Sequence, residues 1–316
     1  MKKAGGHRNF GYGKQMAWAG KQALKDQYGN GHYGTVIGHA ERWRRFVTWC
    51  RDECDIRDAR LINSEVVQDY GKLLSDKVDA GMSPAYAQNL LSSVNVVMQA
   101  MRSDRQIRVA PVEFVGQRSR IRTNTPAGLD QKVVRQCADQ LRQNGHERVA
   151  ATVEVARALG LRLKEASLLN ARVALSQVKK HGEVNITAGT KGGRGHRVDR
   201  WVPVSGAAVG CLVRAAKAQG KGRNLISSNL TWKQWNSHIH HVWAYVREDH
   251  GLKKIHDLRA AYACDRYKQL TGSAVPVIAG RLCVDRSTDR AARQTIAQEL
   301  GHARIEVVAS YIGGAR

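Results

Sequence analysis

The chain has 316 residues, 42% of them apolar, which is enough material for two domains with ordinary hydrophobic cores. Lys and Arg number 51 against 27 Asp and Glu, giving a net charge of +24. Such an excess favours a polyanionic partner, because each neutralised phosphate releases counterions. The sequence has no apolar run of roughly 18 residues and no signal-peptide core after Met1, so we expect no membrane attachment.

The first third of the chain predicts helices. Residues 1–32 are basic and rich in glycine, and we interpret them as a basic N-terminal arm with one helix from about Lys14 to Tyr28. Such an arm either follows phosphates or only improves solubility. Residues 33–105 carry apolar side chains at steps of three and four, which predicts a compact helical domain. Ser64 and Ser83 are its expected N-caps.

A basic segment without helical period follows. Residues 106–127 contain prolines and several arginines, and we predict an interdomain linker in which Arg118, Arg120 and Arg122 contact a nucleic-acid backbone or are simply solvated. Residues 128–316 predict a second domain that is mainly α-helical, with Asp130 as an N-cap.

One small antiparallel β-sheet is expected in the second domain. Alternating apolar residues at 184–188 and 198–204 predict two strands, and Lys191-Gly-Gly-Arg194 between them predicts the turn.

Two short segments place arginines where they could bind a phosphate. Arg162 lies between two predicted helices, and Glu165 could orient its guanidinium. His256 and Arg259 are three residues apart and share one helix face. Each pair alone has an ordinary alternative: a surface ion pair for the first, and chance spacing for the second.

Three further residues could complete a site that cleaves phosphodiesters. Lys191 could protonate a leaving alkoxide, or it could contact a polyanion together with Arg194 and Arg197. Tyr311 is the candidate nucleophile, and His302 in Leu-Gly-His precedes it by nine residues. A phenol is mostly protonated at neutral pH, so it needs neighbouring cations or a base to attack as phenolate.

Cofactor signatures are missing from the sequence. It contains no Walker loop, zinc signature or paired-carboxylate site, so we expect neither a cofactor nor a metal. Six cysteines lie among apolar neighbours without a Cys-x-x-Cys pair, which favours reduced thiols in the cores of a cytoplasmic protein.

Together and in this order, Arg162 with Glu165, Lys191, His256-x-x-Arg259, Leu-Gly-His302 and Tyr311 resemble the tyrosine recombinase (phage integrase) family. The resemblance covers residues 129–313. The helical segment before it is similar to the family's SAM-like core-binding domain in pattern only. The resemblance implies a two-domain DNA clamp, in which a helical core-binding domain precedes the tyrosine-recombinase catalytic domain.

The resemblance also implies a mechanism. Tyr311 would attack the scissile phosphate, form a 3′-phosphotyrosine and release a 5′-hydroxyl. Arg162, Arg259, His256 and His302 would stabilise the charge on the phosphorane, and Lys191 would protonate the leaving oxygen. Since the covalent intermediate conserves the bond energy, strand exchange would need no external energy source.

The expected function is site-specific recombination of a mobile element by integration or excision, in the nucleoid of a bacterial cytoplasm. The implied partners are double-stranded attachment sites and three further copies of the chain, in a homo-tetramer on paired sites. A directionality factor or a host DNA-bending protein is a further candidate. Alternatives are a non-catalytic DNA-binding protein on the same fold, a type IB topoisomerase and a basic RNA-binding protein.

Two features depart from the family pattern. Residues 281–290 look like an insertion, because the interval between Arg259 and His302 is longer than usual. Only five residues follow Tyr311, whereas many members of the family have a longer C-terminal tail that docks on the neighbouring subunit.

Overall fold

A computed structural model of the protein describes residues 6–314. The chain divides into two compact units, residues 1–119 and residues 120–316. Residues 1–5 of the predicted arm and the last two residues of the predicted catalytic domain lie outside the described residues. Between residues 6 and 314, no helix is long and apolar enough to cross a membrane.

The first unit is helical. Its helices are α1 (Met16–Tyr28), α2 (Tyr33–Cys54), α3 (Ser64–Asp79), α4 (Pro84–Arg102) and α5 (Pro111–Val115). Helices α1, α2 and α4 pack against one another around the fully buried side chains of Trp43 and Phe46. The approach of α1 to α2 requires Gly20, because a Cβ atom there would lie 2.3 Å from the indole nitrogen of Trp43.

Residues predicted as an N-terminal arm instead belong to this core. Met16, Ala19 and Leu24 are buried, because the apolar side of α1 covers α2 and α4. Ahead of α1, the Asn9 amide donates to the carbonyls of Gly13 and Lys14 and accepts from the backbone of Ala59. Residues 9–28 are therefore part of the first unit rather than a separate arm.

The boundaries inside the first unit differ from the prediction in two places. Helix α5 lies within the predicted linker, packs against α3 and α4, and buries Val115, so the division between units comes after Ser119. Asn63 is the N-cap of α3, since its side chain accepts from the Val66 N–H. Ser83 is the N-cap of α4, as predicted.

The second unit is also mainly helical. Its elements are α6 (Gln131–Gln143), α7 (Glu147–Ala158), α8 (Leu163–Leu168), α9 (Ala171–His181), β1 (Glu183–Asn185), β2 (Trp201–Pro203), α10 (Gly206–Gln219), α11 (Trp232–Val246), α12 (Ile255–Thr271), α13 (Pro276–Ala279), α14 (Arg286–Glu299) and α15 (Ala309–Ile312). Helix α7 is central and packs against α6, α10 and α12. The predicted fold class, mainly α with one small antiparallel sheet, is confirmed.

The sheet is shorter than predicted. Strands β1 and β2 are antiparallel, with Val184 opposite Val202. Between them a long connection contains a 3₁₀ turn at Lys191–His196 instead of a tight hairpin turn. Gly192 and Gly193 have φ angles of +69° and +70°, a left-handed conformation that cannot continue a strand. Lys191 therefore lies in a long loop.

The segment at 281–290 is built into the second unit. Asp285 caps α14 by accepting from the N–H groups of Ser287 and Thr288, and Asp289 is buried. The Tyr267 hydroxyl and the Arg293 guanidinium both donate to Asp289. Arg293 also donates to the carbonyl of Gly313, so the segment that resembles an insertion supports the chain just beyond Tyr311.

Candidate active site

The N-terminus of α8 positions two residues of the site, Arg162 and Glu165. Gly160 has a φ angle of +61° and lies against Tyr262, where a Cβ atom would come within 2.4 Å of the ring. After this turn Arg162 is the N-cap of α8, and the Glu165 carboxylate accepts its backbone N–H at 2.8 Å and its guanidinium at 2.6 Å. Glu165 is only 1% exposed. The capping interaction therefore places a buried negative charge beside Arg162.

Arg259 on α12 is completely buried. Its guanidinium donates to the carbonyls of Gly160 and Leu300, and it lies 3.5 Å from Glu165. Its Nε donates to the Tyr311 hydroxyl at 3.3 Å. Burial lowers the pKa of Arg259 to about 10, so the side chain stays charged at neutral pH. A permanent cation is thus fixed against the candidate nucleophile.

Tyr311 on α15 is 4% exposed, and its Oη lies 3.0 Å from Nε2 of His302. Arg259 approaches the same ring nitrogen at 3.4 Å. A guanidinium can only donate, so this nitrogen is an acceptor and the Tyr311 hydroxyl can donate to it. Burial, and then the charges of Arg259, Arg162 and Arg200, lower the pKa of His302 to about 4. The ring is therefore neutral at pH 7 and able to accept a proton.

His256 lies in the first turn of α12, with its ring centroid 5.7 Å from that of Tyr311. The ring remains accessible to solvent. Partial desolvation, and then the charges of Arg259 and Arg162, lower its pKa. His256 is thus a second neutral imidazole beside the tyrosine.

A cavity of about 150 Å³ lies beside these residues and is lined by several basic side chains. Its lining includes Arg162, Lys191, Arg194, Arg200 and His302. The structure therefore brings Lys191 to the same cavity as Arg162 and His302, although Lys191 itself is exposed on its loop. A cavity walled by these groups has the charge and hydrogen-bond donors that a phosphate requires.

The arginines predicted to bind DNA are placed differently from one another. Arg122 pairs with Asp257 at 2.8 Å, and its backbone N–H donates to the carbonyl of Ala309, so it ties the segment after residue 120 to α12 and α15. Arg118 donates to Asn89 within the first unit. The predicted DNA-binding arginines with exposed side chains are Arg118, Arg120, Arg194 and Arg197.

Arg200 was not predicted as a site residue. It is 7% exposed, and its two terminal nitrogens donate to Glu165 at 2.9 and 3.2 Å. In the sequence it is one of several arginines in a basic loop. The sequence did contain one signal that Arg200 is buried. Side chains two residues apart on a strand point to the same face, and Val202, two residues after Arg200, is buried.

The described residues include no candidate metal site, and their cysteines form no disulfide. Within residues 6–314, no group of three or more His, Cys, Asp and Glu side chains could hold a metal ion. The six cysteines are free thiols. Cys54 and Cys283 are exposed rather than in a core, because each lies on the solvent side of its segment.

Known proteins share this architecture. A family model described as "Integrase" matches residues 120–265, which include Arg162, Lys191, His256 and Arg259. No curated protein matches the chain. Similar solved structures include the Tn1549 transposon integrase bound to transposon right end DNA, with 13% identity over 94% of both chains and a TM-score of 0.59.

Two lambda integrase structures are also similar. A dimer bound to a COC′ core site has 14% identity, 94% coverage of both chains and a TM-score of 0.59. A tetramer bound to a Holliday junction has 15% identity, covers 93% of this chain and 75% of that one, and has a TM-score of 0.57. At these identities the likeness shows the fold.

The second unit has the fold of tyrosine recombinase catalytic domains, and it holds a buried tyrosine in contact with an arginine and a histidine. The integrase model matches residues 120–265, and the solved integrases share the fold, so the chain resembles the tyrosine recombinase (phage integrase) family.

Proposed function

We propose that this protein is a site-specific tyrosine recombinase, which cuts and rejoins duplex DNA by forming a covalent bond between Tyr311 and a 3′ phosphate. The observation that carries the proposal is the contact of one hydroxyl, that of Tyr311, with both Arg259 and His302. Arg259 stabilises negative charge on the phenol oxygen, and His302 offers an unprotonated nitrogen. Either aid favours attack by a tyrosine near neutral pH, and the Tyr311 hydroxyl has both.

The first step transfers a proton and breaks one bond. Tyr311 gives its proton to Nε2 of His302 while its oxygen attacks phosphorus. The bond between phosphorus and the 5′ oxygen breaks, and the leaving oxygen takes a proton from Lys191. In the reverse step, a 5′-hydroxyl of the partner strand gives its proton to Lys191 and attacks the phosphotyrosine, and Tyr311 leaves with the proton held by His302.

The remaining groups stabilise the charge that develops on phosphorus. Arg162 and Arg259 donate to the non-bridging oxygens, and Glu165 fixes both guanidinium groups before the substrate arrives. His256 donates or accepts a hydrogen bond at the same phosphate. Preorganised donors of this kind lower the barrier without rearranging during the reaction.

Double-stranded DNA is the proposed partner, on the chromosome in a bacterial cytoplasm. The net charge of +24 and the exposed loop cations Lys191, Arg194 and Arg197 support it. The related integrases were solved on DNA, and lambda integrase as a tetramer on a Holliday junction, which supports a homo-tetramer on paired sites. A directionality factor or a host DNA-bending protein remains part of the proposal.

A suicide-substrate assay tests the proposal. Duplexes that the protein binds are first selected from a random-sequence library. A nick is then placed near the candidate cleavage position, and the products are separated on a denaturing gel. Wild type should form a protein–DNA adduct without metal or nucleotide. Tyr311→Phe should form none while still binding the duplex.

Tyr245→Phe is the matched control, because Tyr245 is 83% exposed and lies outside the site. It should form the adduct at the wild-type rate. The absence of an adduct with wild type on DNA that it binds, or an adduct that persists in Tyr311→Phe, would overturn the proposal. Relaxation of supercoils without strand exchange would instead indicate topoisomerase activity.

A further inference from the structure

Arg200 is buried beside the site, and one of its donors has no partner among the described residues. Its Nη1 and Nη2 donate to Glu165, but its Nε has no hydrogen-bond partner among the described residues. A buried donor without a partner destabilises a protein, so it calls for an explanation. Arg200 also lines the cavity shared by Arg162, Lys191 and His302. Its position is therefore tied to the site.

Two contacts connect Arg200 with the site's other groups. Glu165 accepts from Arg200, Arg162 and Arg259, so the three guanidinium groups share one carboxylate. On its other side Arg200 packs against Gly301, where a Cβ atom would come within 2.9 Å of the arginine Cδ. Gly301 directly precedes His302. Replacing Arg200 would therefore alter the position of Glu165 and that of the His302 backbone.

We propose that Arg200 is a positioning residue of the cleavage site, which orients Arg162 and Arg259 through Glu165 and places His302 through Gly301. This inference rests on the proposed function, since it assigns a role within that same reaction. Arg200 is one side chain with two contacts, so it links the group that binds the phosphate to the group that receives the Tyr311 proton.

The pKa of His302 reports whether the Arg200 charge acts at the ring, whereas the rate of Arg200→Lys, which keeps the charge, reports positioning. The charged and titratable groups that face His302 are Arg259, Arg162, Arg200, Glu165 and Tyr311, and the cavity that His302 lines also holds Lys191, Arg194 and Asp199. Replacing Arg200 by a neutral residue removes one positive charge and raises the pKa of His302 toward its ordinary value. The ring is then protonated over a wider acid range and cannot accept the Tyr311 proton there.

The test compares Arg200→Gln and Arg200→Lys with matched variants of Arg214. Arg214 also donates through two nitrogens to a buried carboxylate, that of Glu154, but it does not contact the site. Adduct formation is followed on the nicked duplex at saturating DNA over a range of pH. The titration of the His302 ring is followed by NMR in the free full-length protein, which requires no cleavage.

Arg200→Gln should slow adduct formation on the order of 100-fold, the effect of a small misplacement of reacting groups. The acid limb of the pH–rate profile, where the rate of adduct formation falls as the pH is lowered, should also shift to higher pH. The pKa of His302 measured by NMR should rise with it. Arg200→Lys should slow the reaction by a smaller factor and leave the acid limb in place, because it keeps the charge. Both Arg214 variants should match wild type in rate and in acid limb.

The inference is overturned if folded Arg200→Gln keeps the wild-type rate and acid limb, or if its His302 titrates as in wild type. If Arg200→Gln fails to fold, Arg200→Lys carries the test, and a wild-type rate for that variant overturns the inference. Failure of the proposed function is distinguishable, because then wild type itself forms no adduct while the NMR titration still reports on Arg200.

Discussion

Replacing Glu165 by Gln should damage both the stability and the chemistry of the second unit. The Glu165 side chain is fully buried and accepts hydrogen bonds from Arg162, Arg200 and Arg259. Glutamine has nearly the same shape, but it removes the negative charge that these three cations share. Its amide NH₂ would also face guanidinium donors, and two donors cannot bond each other.

The expected cost follows from the burial. Removing one partner of a buried ion pair destabilises a protein by about 3–5 kcal/mol, because the other charge is left uncompensated. For a unit of this size, that loss lowers Tm on the order of 10 °C. The guanidinium groups of Arg162 and Arg259 would also lose their fixed orientation, so adduct formation should slow on the order of 100-fold.

Glu154→Gln is the control that separates the two effects. Glu154 is also buried and accepts from Arg142 and Arg214, away from the site. Thermal melts of both variants should show a similar loss of stability. Adduct assays well below the lower Tm should show slowing in Glu165→Gln only. A wild-type Tm for Glu165→Gln, or an equal loss of rate in Glu154→Gln, would refute the reasoning.

Three further changes probe other parts of the chain. Because the pKa of His302 is lowered from 6.5 to about 4, its contribution to stability is complete above pH 6.5 and is lost as pH falls toward 4; urea titrations should show a shallower pH dependence in His302→Gln. Gly301→Ala should cost about 1–2 kcal/mol, because its φ is +66° and Arg200 leaves no room, and it should slow adduct formation; a wild-type melt and rate would contradict this. Gly20→Ala should lose about 1–3 kcal/mol of stability by overpacking against Trp43, with an unchanged cleavage rate per bound complex, as measured by melts and single-turnover assays; a slower rate would indicate a role of the first unit in the chemistry.

Local features were accessible from the sequence because they depend on residues a few positions apart. The cap of α6 at Asp130 follows from a side chain that accepts from the Lys132 N–H two residues on, and the start of α4 after Ser83 follows from Pro84 in its first turn. The shared face of His256 and Arg259 follows from the helical repeat alone. The ordered motifs indicated the family, and the alternation of apolar residues indicated the small sheet.

Relations between distant residues were decided only by the tertiary structure. Arg200 bonds Glu165, 35 residues away, while Arg194 and Arg197 in the same loop are exposed. Arg122 pairs with Asp257 across 135 residues, and α1 joins a core that its weak apolar pattern did not indicate. Whether an arginine faces solvent or a buried carboxylate depends on which segments the folded chain packs beside it. Composition and short-range spacing carry no information about that packing, since every basic residue of a loop satisfies the same local pattern.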